Sequence, residues 1–254
     1  MNLYYELLQY PVFSMKEVNA LYSSERTARA ALEKLLKENM VLKIRNKLYT
    51  CVSGENGGPV ANKFQIASAI TSSSYVSHHT AFEYYGIVDQ VFYEVYVGSE
   101  TRFHDFEFDG YTYHYVMSKG SDGIDTPAFS GGIRVTTPER TMIDSIKDMD
   151  KISGMEEVIQ DISCMKKLQE KRLLSYLEHL SNQFLYQKTG FLLSEQKEQL
   201  GLSDDFFKEC QDKIGKSKRY LSRDLADGVY NDQWKLVVPQ YLNVKNGVTA
   251  DATI

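Results

Sequence analysis

The sequence predicts an α+β protein, because helical and strand-like patterns occupy separate stretches of the chain. The first fifty residues combine two helix starts with a hairpin pattern. Between about residues 61 and 137, aromatic and polar residues alternate as they do in strands. From Glu139 onward, apolar residues recur at helical spacing. This segregation favours α+β over a regular alternation of strands and helices.

Length and composition are those of a globular protein. The 254 residues suit one large domain or two modest ones, and 43% apolar and 25% charged residues provide for a real core. Three scattered cysteines without CxxC spacing argue against a disulfide framework or a zinc knuckle. The sequence shows no basic leader and no apolar run of about 18 residues. We therefore expect a soluble, cytoplasmic protein in a reducing compartment.

The densest cluster of turn-forming residues, SGENGGP at residues 53–59, separates a basic region from an acidic one. The net charge is −5, but the first fifty residues alone carry +3 and the remainder −8. A shift in composition at a stretch rich in glycine and proline is typical of a domain boundary. We predict one domain over residues 1–53 and a second over 60–254, with a sheet-containing part at about 60–145 and a helical part at about 146–254.

The N-terminal segment contains, in order, a short helix, a tight turn, a longer helix and a basic hairpin. Ser14 and Glu17 form a capping box before the short helix, and Ser24 precedes the longer helix over 25–39. The longer helix carries an apolar stripe that consists of Ala28, Leu32, Leu35 and Leu36. Strands over 41–44 and 48–51 then flank a basic tip. These elements in this order predict a winged helix-turn-helix.

The polar face of the longer helix suits the major groove of double-stranded DNA. The groove admits one helix, whose first residues must be short, polar or basic to reach base edges. Arg26, Thr27 and Arg29 fit that position, whereas cations further along the helix and on the hairpin would contact phosphates. The predicted DNA-binding residues are Ser24, Arg26, Thr27, Arg29, Ala30, Lys34, Lys37, Lys43, Arg45 and Lys47. The alternative is a protein-binding adaptor whose charged face is only solvated.

Local capping and turn signals place the elements after the linker. Asp109-Gly110 lies between two aromatic runs and predicts a hairpin with a tight primed turn in a small antiparallel sheet. Pro138 after two threonines predicts a helix start, as does a capping box at Ser153 and Glu156. Further helices are expected over 171–180, 183–198 and 203–214, and a strand over 234–238. The complete prediction is a winged helix-turn-helix followed by a mixed α/β C-terminal domain with a small antiparallel sheet and a helical part.

Three segments beyond the linker carry a resemblance to a known family. Residues 75–87, YVSHHTAFEYYGI, follow a pattern of strand, Ser, Ser/Thr-Ala-Leu and aromatic-Gly-Leu, with Phe82 in place of the leucine. Residues 135–144 contain Glu-Arg-Thr-x-x-Asp, and residues 228–239 supply a third match. With these motifs in this order, the chain resembles the AbiEi-type antitoxins of abortive-infection, type IV toxin-antitoxin systems.

The resemblance implies an autorepressor with a role in phage defence. It implies a winged helix that binds inverted repeats in its own promoter, and a C-terminal domain that counteracts a co-encoded toxin resembling nucleotidyltransferases. Neutralisation in this family proceeds without an established stable complex, so direct contact with the toxin stays open. The resemblance implies no enzymatic activity, cofactor or metal for this chain, and no membrane partner.

The residues that carry the resemblance have structural roles of their own. They are Ser77, Thr80, Gly86, Glu139, Arg140, Asp144 and Trp234. Gly86 suits the left-handed end of a helix, and Arg140 and Asp144 are spaced to pair on one helical face. Trp234, the only tryptophan, is expected to anchor the core.

Two other functions are compatible with the residues. Gly98-Ser99 after a strand, with Asp105 and Glu107 nearby, would suit a nucleotidyltransferase-like enzyme that holds Mg²⁺ and nucleotide phosphates. The same carboxylates alternate with phenylalanines as they would on a solvent-facing edge strand. A one-component, ligand-sensing transcription factor is the other possibility. A second basic cluster over residues 213–223 would contact phosphates or a nucleotide, or would only be solvated.

Overall fold

The protein has a mixed α+β fold, as the sequence predicts. The computed structural model describes residues 2–223, 225 and 227–243, so the end of the predicted C-terminal domain, 244–254, lies outside the described residues. The chain divides into two compact units, Met1–Thr80 with Val91–Thr136, and Ala81–Gln90 with Thr137–Ile254. The predicted domain boundary at residues 53–60 stays a prediction. Within the described residues, no helix combines the length and apolar composition needed to cross a membrane.

The first unit contains helices α1 (Leu3–Leu7), α2 (Met15–Ala20), α3 (Glu25–Lys37), α4 (Lys63–Ala69) and the beginning of α5 (His78–Tyr84). Its strands are β1 (Val41–Arg45), β2 (Leu48–Cys51), β3 (Tyr75–Val76), β4 (Glu94–Ser99), β5 (Phe106–Phe108), β6 (Tyr111–Met117), β7 (Ile124–Asp125) and β8 (Val135–Thr136).

The second unit contains the end of α5, then α6 (Pro138–Asp148), α7 (Gly154–Cys164), α8 (Glu170–Leu180), α9 (Gln183–Ser194), α10 (Lys197–Leu200), α11 (Asp204–Lys213) and α12 (Gln240–Asn243). Its strands are β9 (Arg219–Tyr220), β10 (Val229–Asn231) and β11 (Leu236–Val238).

The N-terminal helices start where their capping residues predict. At α2, the Ser14 hydroxyl accepts a hydrogen bond from the Lys16 amide at 3.1 Å, and the Glu17 carboxylate accepts one from the Ser14 amide at 2.7 Å. Helix α3 begins after Ser24, although the Ser24 side chain makes no capping hydrogen bond. The helix ends two residues before the predicted Asn39, whose positive φ of 54° closes it.

A single apolar cluster joins α1, α2, α3 and the hairpin of β1 and β2. Strands β1 and β2 pair antiparallel as predicted. Of the predicted stripe on α3, Leu36 is only half-buried and the other members are buried. The buried residues of this cluster are Leu3, Leu7, Phe13, Val18, Ala28, Leu32, Leu35, Val41 and Cys51. This cluster fixes the rotation of α3 and therefore decides which face of the helix is exposed.

The six-stranded sheet of the first unit is mixed, with the strand order β5-β6-β4-β3-β8-β7 in the described part of the chain. The predicted hairpin is present, because β5 pairs antiparallel with β6 through Asp109 and Gly110, whose φ values are 50° and 78°. The prediction of an antiparallel sheet is wrong, since β6 runs parallel to β4 and β8 runs parallel to β3. After β4 the chain passes to β5 at the edge of the sheet and then turns back. Strand β6 therefore lies between β5 and β4 and runs in the same direction as β4.

Helix α6 opens the larger, contiguous part of the second unit with the predicted cap. The Thr137 side chain accepts a hydrogen bond from the Arg140 amide at 3.3 Å, and Pro138 occupies the first turn. The predicted capping box at Ser153 is wrong, because Ser153 has helical angles (φ −96°, ψ −23°) and makes no capping hydrogen bond. The predicted helix over 183–198 divides into α9 and α10, since Gln196 leaves helical geometry at ψ 17°.

The small sheet of the second unit packs through Trp234. Strand β11 lies between β10, to which it is antiparallel, and β9, to which it is parallel. Trp234, in the turn before β11, is 1% exposed and lies so close to Gly190 of α9 that a Cβ there would be 2.1 Å from its Cζ3. The Gln187 side chain of α9 donates a hydrogen bond to the Trp234 carbonyl at 3.0 Å. Helix α9 therefore holds the end of the β10–β11 turn.

Candidate nucleic-acid interface

The outward face of α3 consists of polar and charged side chains, most of the charged ones basic, with Glu25 and Glu33 among them. The described residues of this face that the sequence predicts for DNA binding are all exposed: Ser24, Arg26, Thr27, Arg29, Ala30, Lys34 and Lys37. They lie opposite Ala28, Leu32 and Leu35, which the apolar cluster buries. The exposure of this face thus follows from the helical spacing of the apolar residues.

Two of the cations on α3 are paired within the helix. Arg29 contacts Glu25 at 3.1 Å and Lys34 contacts Glu38 at 3.8 Å, each one turn away. Among the described residues, Arg26 forms no ion pair. Exposed pairs of this kind contribute at most about 1 kcal/mol, so an incoming phosphate can replace the carboxylates at little cost.

A shallow, open depression of about 530 Å³ runs along the first turns of α3. Its lining consists of Glu25, Arg26, Arg29, Ala30 and Glu33. Ala30 adds only a methyl group to this surface, beside the longer Arg26, and the glutamates are acceptors that can match the amino group of cytosine. Sequence reasoning missed Glu25 as part of this surface, although its four-residue spacing from Arg29 is a signal that could have identified it.

The hairpin of β1 and β2 presents two exposed lysines and one inward-packed arginine. Lys43 and Lys47 are exposed, and Lys47 occupies the turn with a φ of 64°. The guanidinium of Arg45 lies over two aromatic rings of the same unit, 5.0 Å from the Phe106 centroid and 5.5 Å from the Phe103 centroid. Its Nη1 atom is buried and has no hydrogen-bond partner among the described residues. Arg45, one of the predicted phosphate contacts, therefore packs against aromatic rings of the protein.

The motif residues of the first unit connect α5 to the sheet. Thr80 is buried, and its hydroxyl accepts a hydrogen bond from the Tyr96 amide at 3.0 Å. Ser77 is also buried and donates to the Tyr96 carbonyl at 3.3 Å. In the second unit, Gly86 follows the end of α5 with a φ of 63° and donates to the Glu83 carbonyl at 3.0 Å. These contacts fix the backbone at both ends of the helix.

The motif residues of α6 form a buried ionic network. The Nε atom of Arg140 lies 3.3 Å from Asp144 Oδ2, and both side chains are almost fully buried. The same carboxylate accepts a hydrogen bond from the Tyr176 hydroxyl at 3.0 Å and contacts Lys147 at 3.0 Å. Glu139, also buried, accepts a hydrogen bond from the Gln169 amide at 3.0 Å. These side chains link α6 to α8 and its start.

The electrostatics of this network keep its lysine charged. Burial acts to lower the pKa of Lys147, but the nearby carboxylates of Asp144 and Asp148 hold that pKa above its ordinary value. The carboxylate of Asp144 therefore faces two cations in a desolvated place. Removing one member of such a buried ion pair lowers the free energy of unfolding strongly, because the remaining buried charge loses a counter-ion.

Of the two carboxylates of the enzymatic alternative, Asp105 is engaged by neighbouring groups of the sheet and Glu107 is exposed. Asp105 accepts a hydrogen bond from the Tyr115 amide at 2.9 Å, and its other oxygen lies 2.8 Å from His114 Nδ1. Glu107 is exposed on β5 and lies opposite Thr112. Ser99 is buried in a cluster of hydroxyl groups. Within the described residues, no three histidine, cysteine, aspartate or glutamate side chains are grouped so that they could hold a metal ion.

Comparison with known proteins bears on the fold alone. No protein-family model matches the chain, and no curated protein sequence matches it. Among solved structures, the chain is similar to the RV2827C protein from Mycobacterium tuberculosis, with a TM-score of 0.64 at 10% sequence identity. The similarity covers 93% of this chain and 90% of that protein. The two chains thus share an α+β fold over nearly their whole length.

Proposed function

We propose that the chain is a DNA-binding antitoxin and transcriptional autorepressor of the AbiEi type, with a winged helix at its N-terminus. The observation that carries the proposal is the outward face of α3, which is exposed and carries two arginines in its first turns beside Glu25 and Glu33, and is followed by a hairpin with exposed lysines. A helix whose first turns present short and basic side chains is what the major groove accepts.

In this proposal α3 is the recognition helix. Arg26, Thr27 and Arg29 approach base edges, and Ala30 allows the helix to lie close to them. Cations further along α3 and on the hairpin contact phosphates, which position the helix without reading sequence. These phosphate contacts are Lys34, Lys37, Lys43 and Lys47. Arg45 holds the hairpin against the aromatic rings instead of reaching the DNA.

The charge distribution sets the character of the binding. The first fifty residues are net +3 while the remainder is −8, so the larger part of the chain repels DNA at long range. We expect modest affinity for one site and a steep dependence on salt concentration. Inverted repeats in the chain's own promoter would strengthen binding by recruiting two copies.

The second part of the proposal concerns the toxin. We propose that the remainder of the chain counteracts a co-encoded nucleotidyltransferase-like toxin and performs no enzymatic reaction itself. The absence of an enzymatic role is supported by the motif residues. Thr80, Arg140 and Asp144 all make internal contacts that hold helices in place. Asp105 is likewise engaged by the Tyr115 amide and by His114, so no observation favours the enzymatic alternative.

A gel-shift assay with the upstream DNA of the chain's own gene tests the proposal. The double variant Arg26→Ala/Arg29→Ala should lose binding, because it removes both arginines from the start of α3. The matched control, Lys166→Ala/Lys167→Ala, removes the same charge from exposed positions of the second unit and should bind normally. Equal binding by the two variants would contradict the proposal.

Co-expression with the neighbouring toxin gene tests the antitoxin function separately. We expect Arg26→Ala/Arg29→Ala to protect growth about as well as the wild type, because the substitutions lie outside the part that counteracts the toxin. Failure of the wild-type chain to protect would overturn the antitoxin assignment and leave the DNA-binding result standing.

A further inference from the structure

A basic and aromatic surface lies on the small sheet of the second unit. We call it the β9–β10 face and define it by Lys218, Tyr220 and Tyr230; Lys216 lies two positions before Lys218 in the chain. The two tyrosines lie on the two outer strands of one three-stranded sheet and are 55% and 41% exposed, so both rings are accessible to a ligand. Both lysines are exposed as well.

The register of the sheet places both tyrosines on the same side. Tyr220 of β9 and Tyr230 of β10 both pair with Val237 of the central strand, and residues in register point to the same face. Lys218 lies two residues before Tyr220, and its Nζ is 5.9 Å from the Tyr220 centroid and 5.5 Å from the Tyr230 centroid. The ammonium group is thus shared between two exposed rings.

The β9–β10 face rests on a rigid support. On the other side of the sheet, Leu236 and Val238 are fully buried. The Gln187 side chain of α9 donates to the carbonyls of Trp234 at 3.0 Å and Ser217 at 3.4 Å, which ties β11 to the segment before β9. A ligand on this face would therefore meet side chains whose backbone is already fixed, which lowers the entropic cost of binding.

Within the described part of the chain, the cations around the β9–β10 face have no acidic partners. Lys216, Lys218, Arg219 and Arg223 are exposed, and none of them forms an ion pair among the described residues. They belong to the part of the chain after the first fifty residues, whose net charge is −8. A cluster of four cations therefore stands out against the acidic character of that part. The combination of this cluster of cations with two exposed aromatic rings favours a binding surface over a merely solvated one.

We propose that the β9–β10 face binds single-stranded RNA. Unpaired bases stack on exposed aromatic rings of sheets, and nearby cations follow the phosphate backbone. Tyr220 and Tyr230 would each stack a base, while Lys216 and Lys218 would contact phosphates. A duplex does not fit this face, because its bases are already stacked and their planes are inaccessible to side chains on a sheet. This inference does not depend on the winged helix or on DNA binding.

Fluorescence anisotropy with the full chain tests the proposal. The probe is a labelled oligouridylate of about 12 nucleotides, which lies within the length that single-strand sites cover. We expect the wild type to bind at low salt, and Tyr220→Ala/Tyr230→Ala to bind about tenfold more weakly or worse, because two stacked bases are lost. Tyr220→Phe/Tyr230→Phe keeps the rings and should retain binding.

Two controls separate this face from other surfaces. Tyr5→Ala/Tyr93→Ala removes two tyrosines of the first unit that are 66% and 69% exposed, and it should bind the RNA normally. Arg26→Ala/Arg29→Ala, which tests the DNA interface, should also bind the RNA normally. The proposal is overturned if the wild type does not bind, if the alanine variant at Tyr220 and Tyr230 binds like the wild type, or if the arginine variant loses the RNA.

Discussion

The guanidinium carbon of Arg45 lies 5.0 Å from the centroid of the Phe106 ring, so the last residue of β1 is packed against the edge strand of the six-stranded sheet. In this position the guanidinium group of Arg45 interacts with an aromatic ring instead of with a phosphate. The contact indicates that Arg45 positions the hairpin, although its place between Lys43 and Lys47 predicts a DNA contact.

The salt dependence of DNA binding distinguishes these two roles. A phosphate contact contributes about 0.9 to the slope of log affinity against log salt concentration. We expect Arg45→Gln to leave that slope unchanged, whereas Lys47→Gln, at the exposed turn of the same hairpin, should reduce it by about 0.9. Titrations of promoter DNA at several salt concentrations measure both. A reduced slope for Arg45→Gln would show that the arginine leaves the rings when DNA binds.

The hairpin also shows how far the sequence predicts this structure. The capping box at Ser14 and the turn at Asp109 and Gly110 are predicted correctly, because each depends on residues within a few positions of one another. The contact of Arg45 with Phe106 joins residues sixty-one positions apart, and no periodicity encodes it. Pattern reasoning could therefore find the exposed face of α3 but could not tell which cations of the hairpin remain free.

The same limit explains the errors elsewhere. One hairpin signal predicts an antiparallel sheet, but strand order depends on where the connection before β5 returns the chain, and local residues do not specify that. Ser153 has the residue type and spacing of a capping box, yet its helical φ and ψ prevent its side chain from reaching the helix start. Tyr220 and Tyr230 lie ten positions apart in the sequence, and only strand register brings them to one face.

Glu17 should make the stability of the N-terminal region depend on acid pH. Burial acts to raise the pKa of Glu17, but hydrogen bonds from the Ser14 hydroxyl and amide, with the charge of Lys16, hold that pKa below its ordinary value. A carboxyl whose pKa is lowered by folding stabilises the fold above its unfolded pKa, and this contribution is lost as pH falls through the folded pKa.

We expect Glu17→Gln to lower the free energy of unfolding by about 1 kcal/mol at neutral pH, the usual contribution of a helix cap. The difference from the wild type should shrink as the pH falls through the lowered pKa of Glu17. Glu33→Gln, at an exposed position of α3 without such hydrogen bonds, is the control and should change stability little. Urea unfolding at several acid pH values measures the effect, and a constant difference at every pH would refute it.

Asp144 should be far more important for stability than the exposed charges near it. Its carboxylate accepts contacts from Arg140, Tyr176 and Lys147 in a buried place. Asp144→Ala takes this counter-ion from Arg140, which is only 1% exposed, and should cost about 3–5 kcal/mol. Lys151→Ala removes a mostly exposed partner of Asp148 and should cost less than about 1 kcal/mol. Similar urea midpoints for the two variants would contradict the assignment of a buried ionic network.

Gly190 should resist the substitution that usually stabilises a helix. Replacing glycine by alanine inside a helix normally gains about 0.5–1 kcal/mol. At Gly190, however, the new Cβ would lie 2.1 Å from Cζ3 of Trp234, so the indole ring must move. Overpacking of this kind costs about 1–3 kcal/mol, which reverses the expected sign. Gly54→Ala is the control, because no atom lies within 4 Å of a Cβ built there.

Thermal unfolding and the fluorescence of Trp234, the only tryptophan, report this change directly. We expect Gly190→Ala to lower the melting temperature and to shift the emission of the displaced indole, whereas Gly54→Ala should change neither. Since Trp234 lies in the turn before β11, its displacement should also disturb the register that brings Tyr220 and Tyr230 together. Gly190→Ala should therefore weaken RNA binding without removing any residue of the β9–β10 face, and unchanged RNA affinity with shifted fluorescence would show that the face does not depend on this packing.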